Sequence, residues 1–101
     1  MTNEQKALNL LGLATRAGKL VSGEDLTIKQ VRSEKAKVVI IANDASENTR
    51  KKISDKCQYY EIPYTIQYSK AELSQAIGKE RTIVCLTDAG FAKKIRELLS
   101  I

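Results

Sequence analysis

Apolar positions at helical spacing alternate along this chain with short β-branched runs, and their order predicts its fold. Ala7, Leu8, Leu10, Leu11, Ala14 and Ala17 recur behind the capping-box pattern Thr2-x-x-Gln5, which predicts a first helix that stops at Gly18. Lys19 to Ser22 then reads as a short strand. Ser22 is placed to cap the next helix, with Asp25 three residues on and Leu26, Ile28 and Val31 as its apolar contacts. The run Val38-Val39-Ile40-Ile41 is β-branched throughout, which suits a strand buried on both faces. Asn43-Asp44-Ala45 turns the chain into a helix that starts at Ser46 or Asn48 and reaches about Tyr60, with Ile53 and Cys57 pointing inward.

Pro63 admits a third strand, Tyr64 to Tyr68, with clean alternation. Ser69-x-x-Glu72 is a second capping box, and Leu73, Ala76 and Ile77 face inward before Gly78 ends that helix. Thr82 to Thr87 forms a fourth strand. Asp88 caps the last helix, where Phe91, Ile95 and Leu98 share one stripe. The order α-β-α-β-α-β-α-β-α predicts an α/β fold: one domain over residues 1–101, with a four-stranded sheet and helices on its faces. No internal repeat, low-complexity tract or linker interrupts it.

At 101 residues the chain is long enough to bury roughly two-thirds of its unfolded surface without disulfide staples. Lys and Arg number 17 against 12 acids, a net charge of +5 that favours a polyanionic partner. Cys57 and Cys85 stand alone, without CxxC spacing, and the first residues lack the apolar stretch of a secretory leader. The longest wholly apolar run, Val38 to Ala42, is far too short to span a bilayer. A cytoplasmic protein with no membrane partner is expected.

The chain has no histidine, which removes His-based triads, His-ligated metals and His acid–base catalysis. Cys57, four residues after Ile53, and Cys85, in mid-strand, read as core residues. Asp44 ends a strand where a receiver domain places its phospho-acceptor, but the acidic pair such domains carry after their first strand is missing. We expect no enzymatic activity, no metal, no cofactor and no small-molecule substrate.

Ser22-Gly23 between a strand and a helix suggests a phosphate turn. The stretch has too few glycines for that, and Glu24 and Asp25 already occupy the field that would attract an anion. Capping is the plain role for these two acids. The functional alternative is that they accept from guanine or cytosine edges, with Lys29 one turn beyond to hold the backbone. Arg50-Lys51-Lys52, Lys56, Lys93-Lys94 and Arg96 decorate helices and read as solvated faces. Lys79 and Arg81 flank a loop after Gly78 and have fewer structural duties. Tyr59, Tyr60, Tyr64 and Tyr68 are spaced as core residues rather than as a base-stacking stripe.

The ordered pair "KLVSGEDLTIKQVRSEKAKVVIIANDAS" and "PYTIQYSKAELSQAIGKER" resembles the L7Ae group of ribosomal proteins that bind kink-turn RNA, in particular its small bacterial members. The likeness runs from Leu10 to Leu99. It implies a three-layer α-β-α sandwich around a mixed four-stranded sheet. It also implies a structured RNA partner, and with it the ribosome, clasped by the start of the second helix, the turn after the second strand and the loop before the last strand. Gly23 and Lys29 match the family helix, which begins Gly-x-Asn-Glu. Asp25 stands where Asn is usual and Leu26 where Glu is usual; those two read guanines next to the kink. Asn43-Asp44-Ala45-Ser46 is similar to the segment around a flipped-out base, with Ser46 where some relatives place an acid. Lys70 falls at a basic position. Leu73 to Gly78 resembles Leu-Gly-x-Ala-x-Gly, leading into the loop Lys79-Glu80-Arg81.

The implied RNA-binding set is therefore Gly23, Glu24, Asp25, Leu26, Lys29, Asp44, Ser46, Lys70, Gly78, Lys79 and Arg81. Lys29, Lys70, Lys79 and Arg81 would neutralise phosphates, Gly23 would admit the backbone and Asp25 would read guanine. The missing acid at Leu26 removes a base contact worth on the order of 1–3 kcal/mol. The reading is a non-enzymatic RNA-binding protein of ribosomal type, for ribosomal RNA or an mRNA element. The alternative is a protein-interaction or adaptor module on the same fold, with an exposed Leu26 meeting a protein.

Overall fold

The computed structural model describes residues 1–101 as nine alternating elements. They are α1 (Asn3–Arg16), β1 (Leu20–Ser22), α2 (Glu24–Arg32), β2 (Val38–Ile41), α3 (Glu47–Tyr59), β3 (Tyr64–Ile66), α4 (Lys70–Ile77), β4 (Ile83–Leu86) and α5 (Ala89–Leu99). The sheet order is β1-β4-β2-β3. β4 pairs antiparallel with both β1 and β2, while β2 and β3 are parallel, so the sheet is mixed. α1 packs with α4 and α5, and α2 packs with α3. The two central strands, all β-branched or otherwise apolar, are buried at every position, as a sheet covered on both faces requires.

Helix starts follow the local chemistry. Thr2 Oγ1 accepts from the Gln5 amide at 3.1 Å, although the Gln5 side chain turns to Asn9 rather than closing the box. Ser69 and Glu72 do close theirs: Ser69 N donates to Glu72 Oε1 at 2.9 Å, and Glu72 N to Ser69 Oγ at 3.1 Å. Ser46 caps α3, Asp88 caps α5, and Gly78 ends α4 in the left-handed region.

Four sequence expectations are corrected. Ser22 does not cap α2; it stays in β1 opposite Val84, and Gly23 is the cap residue, with no side-chain cap bond. Leu26 is not a core contact of α2 but is 52% exposed. The third strand stops at Ile66, because Tyr68 adopts φ 68°, which no strand accommodates. Tyr68 is buried all the same, and its hydroxyl donates to the Glu4 carbonyl at 2.7 Å. Tyr59 is no core residue: it is 80% exposed and lies edge-on to Tyr60. Cys57 and Cys85 are buried, and desolvation pushes their thiols up to about 11 and about 12.

Candidate functional site

Strand direction decides where the candidate residues meet. β1, β2 and β3 run one way and β4 the other, so the ends of the first three and the beginning of the fourth share one edge. Backbone bonds stitch that edge together. Gly23 N donates to Ile83 O at 3.0 Å, Ala42 N to Thr82 O at 2.8 Å, and Asn43 N to Tyr68 O at 2.8 Å. The exits toward α2, α3 and α4 and the entry from Arg81 thus converge from four distant parts of the chain.

The Arg81 side chain lies beside Gly23. Gly23 holds φ 96°, a conformation closed to other residues without strain, and the Arg81 stem crosses above it. A Cβ on Gly23 would lie 3.6 Å from Arg81 Nε. Arg81 Nη1 donates to the Glu80 carbonyl at 2.9 Å, which fixes the plane of the guanidinium. The backbone of Arg81 is clipped to α4 by Ser74, whose hydroxyl accepts from Arg81 N at 3.0 Å and donates to Arg81 O at 3.2 Å. Leu26, Lys79 and Arg81 line one small hollow beside Gly23.

The turn after β2 meets the start of α4. Asp44 Oδ1 accepts from the Lys70 amide at 2.8 Å, so this carboxylate is an anchor for α4. Lys70 Nζ sits 3.4 Å from Glu80 Oε1, an exposed pair that ties α4 to the Lys79–Arg81 loop and partly neutralises it. Ser46 is committed to α3, accepting from Thr49 N at 3.2 Å and donating to Thr49 Oγ1 at 2.9 Å.

The acids of α2 separate. Glu24 points toward α3, where Lys52 Nζ lies 3.9 Å from its Oε1, and it shares a hollow with Ser46. Asp25 and Lys29 share another with Arg32 and Lys52. Neither acid makes a capping bond, so what they contribute to α2 is charge at its positive end. Lys29 therefore accompanies Asp25, as the spacing implies, but neither lines the hollow of Leu26, Lys79 and Arg81. Gly78 sets the direction of the loop through its left-handed turn.

Ser74 and Lys52 escape a reading of sequence alone. Ser74 is one small polar residue within a helix, and its partner is seven positions away across a turn. Lys52 belongs to a basic run that looks like solvated surface, and its bond to Glu24 spans two helices. No three His, Cys, Asp or Glu side chains converge to hold a metal ion, and no helix is long and apolar enough to cross a membrane.

Comparison with known proteins covers almost the whole chain. The model of the family described as "Ribosomal protein L7Ae/L30e/S12e/Gadd45 family" matches residues 5–96. The chain is 59% identical over 97 residues to a protein of Enterococcus faecium named "RNA-binding protein YlxQ", covering 96% of this chain and 94% of that one. It is 56% identical over 91 residues to the protein of the same name from Bacillus subtilis (strain 168), covering 89% and 91%. Among solved structures, a protein of unknown function from Bacillus halodurans superimposes with a TM-score of 0.91 at 41% identity, over 95% of this chain and 98% of that one.

Proposed function

The chain belongs to the ribosomal protein L7Ae/L30e/S12e/Gadd45 family, and from that premise we propose that it binds structured RNA of kink-turn type, in ribosomal RNA or an mRNA element, without catalysing a reaction. The observation that carries the reading is the convergence of Gly23, Arg81, Lys79 and Lys70 on one edge of the sheet. An arginine crossing a glycine leaves a place where backbone can approach closely and a guanidinium can engage phosphate or base. Relatives named as RNA-binding proteins support the partner class. Asp25 and Glu24 are the acceptors available to base edges, in place of the acid absent at Leu26.

A labelled kink-turn RNA titrated against the protein, beside a straight duplex of equal length, tests this. Tighter binding to the kinked RNA at moderate salt is expected. Equal affinity for both would reduce the reading to non-specific attraction, and no binding at low salt would end it.

The half-exposed Leu26 favours one second reading, an adaptor module with weakened RNA binding. Leu26→Glu separates the two. A rise in RNA affinity of roughly tenfold or more identifies a weakened RNA site; unchanged RNA affinity together with loss of a protein partner identifies the adaptor.

A further inference from the structure

The long side of β3 is a surface that the candidate RNA edge does not use. β3 closes one side of the sheet, with β2 as its single neighbour. Val39 N donates to Pro63 O at 3.0 Å and Gln67 N to Ile41 O at 2.9 Å, so Pro63, Thr65 and Gln67 turn their backbone bonds toward β2. The N–H and C=O groups of Tyr64 and Ile66 therefore point away from the sheet, and none of them has an intramolecular partner. Their side chains share the face covered by α3, where Gln58 Nε2 donates to the Tyr64 hydroxyl at 2.7 Å. Ile66 is 43% exposed, and Tyr59, next to Gln58 in α3, is the most exposed aromatic residue of the chain.

Open edges of native sheets usually carry lysine, proline or a bulge that discourages pairing with other chains. β1, the opposite edge, has the exposed Lys19 at its start. β3 has no such guard. Ile62 to Ser69 is a run without a charge, and Pro63 stands before the strand rather than in it. Two copies can therefore meet along this side with no like charges set opposite one another.

The side also complements itself. In antiparallel pairing about a twofold axis at Thr65, Tyr64 of each copy lies opposite Ile66 of the other. Those residues hold the free N–H and C=O groups, and they exchange backbone bonds in both pairs. Each pair sets an aromatic ring beside a β-branched side chain, and the two Thr65 side chains meet on the other face. Both are favourable cross-strand pairs.

We propose that β3 pairs with β3 of a second copy of this chain, joining two four-stranded sheets into one continuous sheet. A three-residue strand makes a small interface, below the roughly 1,200 Å² at which stable complexes begin. The dimer is therefore weak and forms as concentration rises. Antiparallel pairing points the two β3 strands in opposite directions. The two candidate RNA edges, at the strand ends, then lie at opposite ends of the joined sheet and both stay open. The dimer needs no RNA, so the proposal stands or falls apart from the RNA-binding reading.

Sedimentation equilibrium of the full chain, without RNA, is expected to give a mass that rises from 11.2 kDa toward twice that value with concentration. Ile66→Lys, at an exposed position, should hold the mass at one copy while leaving the thermal midpoint near that of the wild type. A disulfide trap reads the register. Thr65 faces its own counterpart in a non-hydrogen-bonded pair, with Cα atoms about 4.5 Å apart, which a disulfide can bridge. The native thiols, Cys57 and Cys85, are buried. Mild oxidation of Thr65→Cys should give a linked dimer. Gln67→Cys, on the same face but opposite Pro63 of the second copy, should link at least tenfold less. Equal linking by both variants would mark random collision and overturn the proposal. A dimer that survives Ile66→Lys would place the interface elsewhere and overturn it too. A single-copy mass up to about 1 mM would also overturn it, leaving this side of β3 to a strand from a different protein.

Discussion

Gly23 and Ser74 act on Arg81 in different ways. At Gly23 the obstacle to another residue is backbone conformation, since a Cβ would meet only the flexible Arg81 side chain at ordinary contact distance. Gly23→Ala is expected to cost at least about 1 kcal/mol of stability, read as a lower urea midpoint. Ser74 holds the Arg81 backbone through two bonds. Ser74→Ala should weaken kink-turn binding, and by less than Arg81→Ala does. In the Arg81→Ala background it should add nothing, because it acts through that residue. A full, additive loss in the double variant would show that Ser74 touches RNA independently. Arg81→Ala should also lower the slope of log affinity against log salt by about one if it meets a phosphate.

At the scale of elements, α4 is the best-secured helix start in the molecule. It has a closed capping box at Ser69 and a second acceptor from Asp44, a residue 26 positions away. Asp44→Ala should cost about 1 kcal/mol. Faster amide exchange should be confined to the first turn of α4, which hydrogen-exchange measurements resolve residue by residue. The same contrast marks what sequence can reveal. The Ser69 box is a pattern within four residues and was legible; the Asp44 bond depends on β2 and β3 lying parallel and was not. β2, β4 and the stops at Gly18 and Gly78 were legible because periodicity and glycine placement are local signals. Tyr68 misled because alternation continues through it while its backbone turns left-handed to carry the hydroxyl to α1. Leu26 misled in α2 because helical spacing identifies an apolar residue without identifying which face is covered. The residues of the candidate edge could be nominated from resemblance; which of them touch, such as Gly23 with Arg81 and Asp44 with Lys70, awaited strand direction.

For the molecule as a whole, the shifted acids are all neutral groups buried in or near the core. Burial raises Cys57 to about 11, Cys85 to about 12 and Tyr68 to about 12, the last helped by the nearby Glu4 and Glu72 charges. Their unfolded values are lower, 9.0 for the thiols and 10.0 for the phenol. The unfolded state therefore gives up its protons first as pH rises. These groups contribute their full stability below the thiol value, and that contribution declines from there toward the folded values. Urea midpoints should fall as pH rises from about 9 toward about 12. Cys57→Ala should lessen the fall while lowering stability near neutral pH.

β4 lies between β1 and β2, yet it is the last strand of the chain. A nascent chain leaving the ribosome has every neighbour of β4 before it has β4 itself. Until residue 86 is available, one edge of the apolar run Val38–Ile41 has no partner, and β1 has none at all. Such an open edge invites pairing with other chains. A product cut short at Glu80 should aggregate rather than fold, as sedimentation would reveal. Because Gly23 binds Ile83 and packs on Arg81, the candidate RNA edge comes into being only with that last strand. The RNA binding proposed for that edge would thus appear only once β4 has joined β1 and β2.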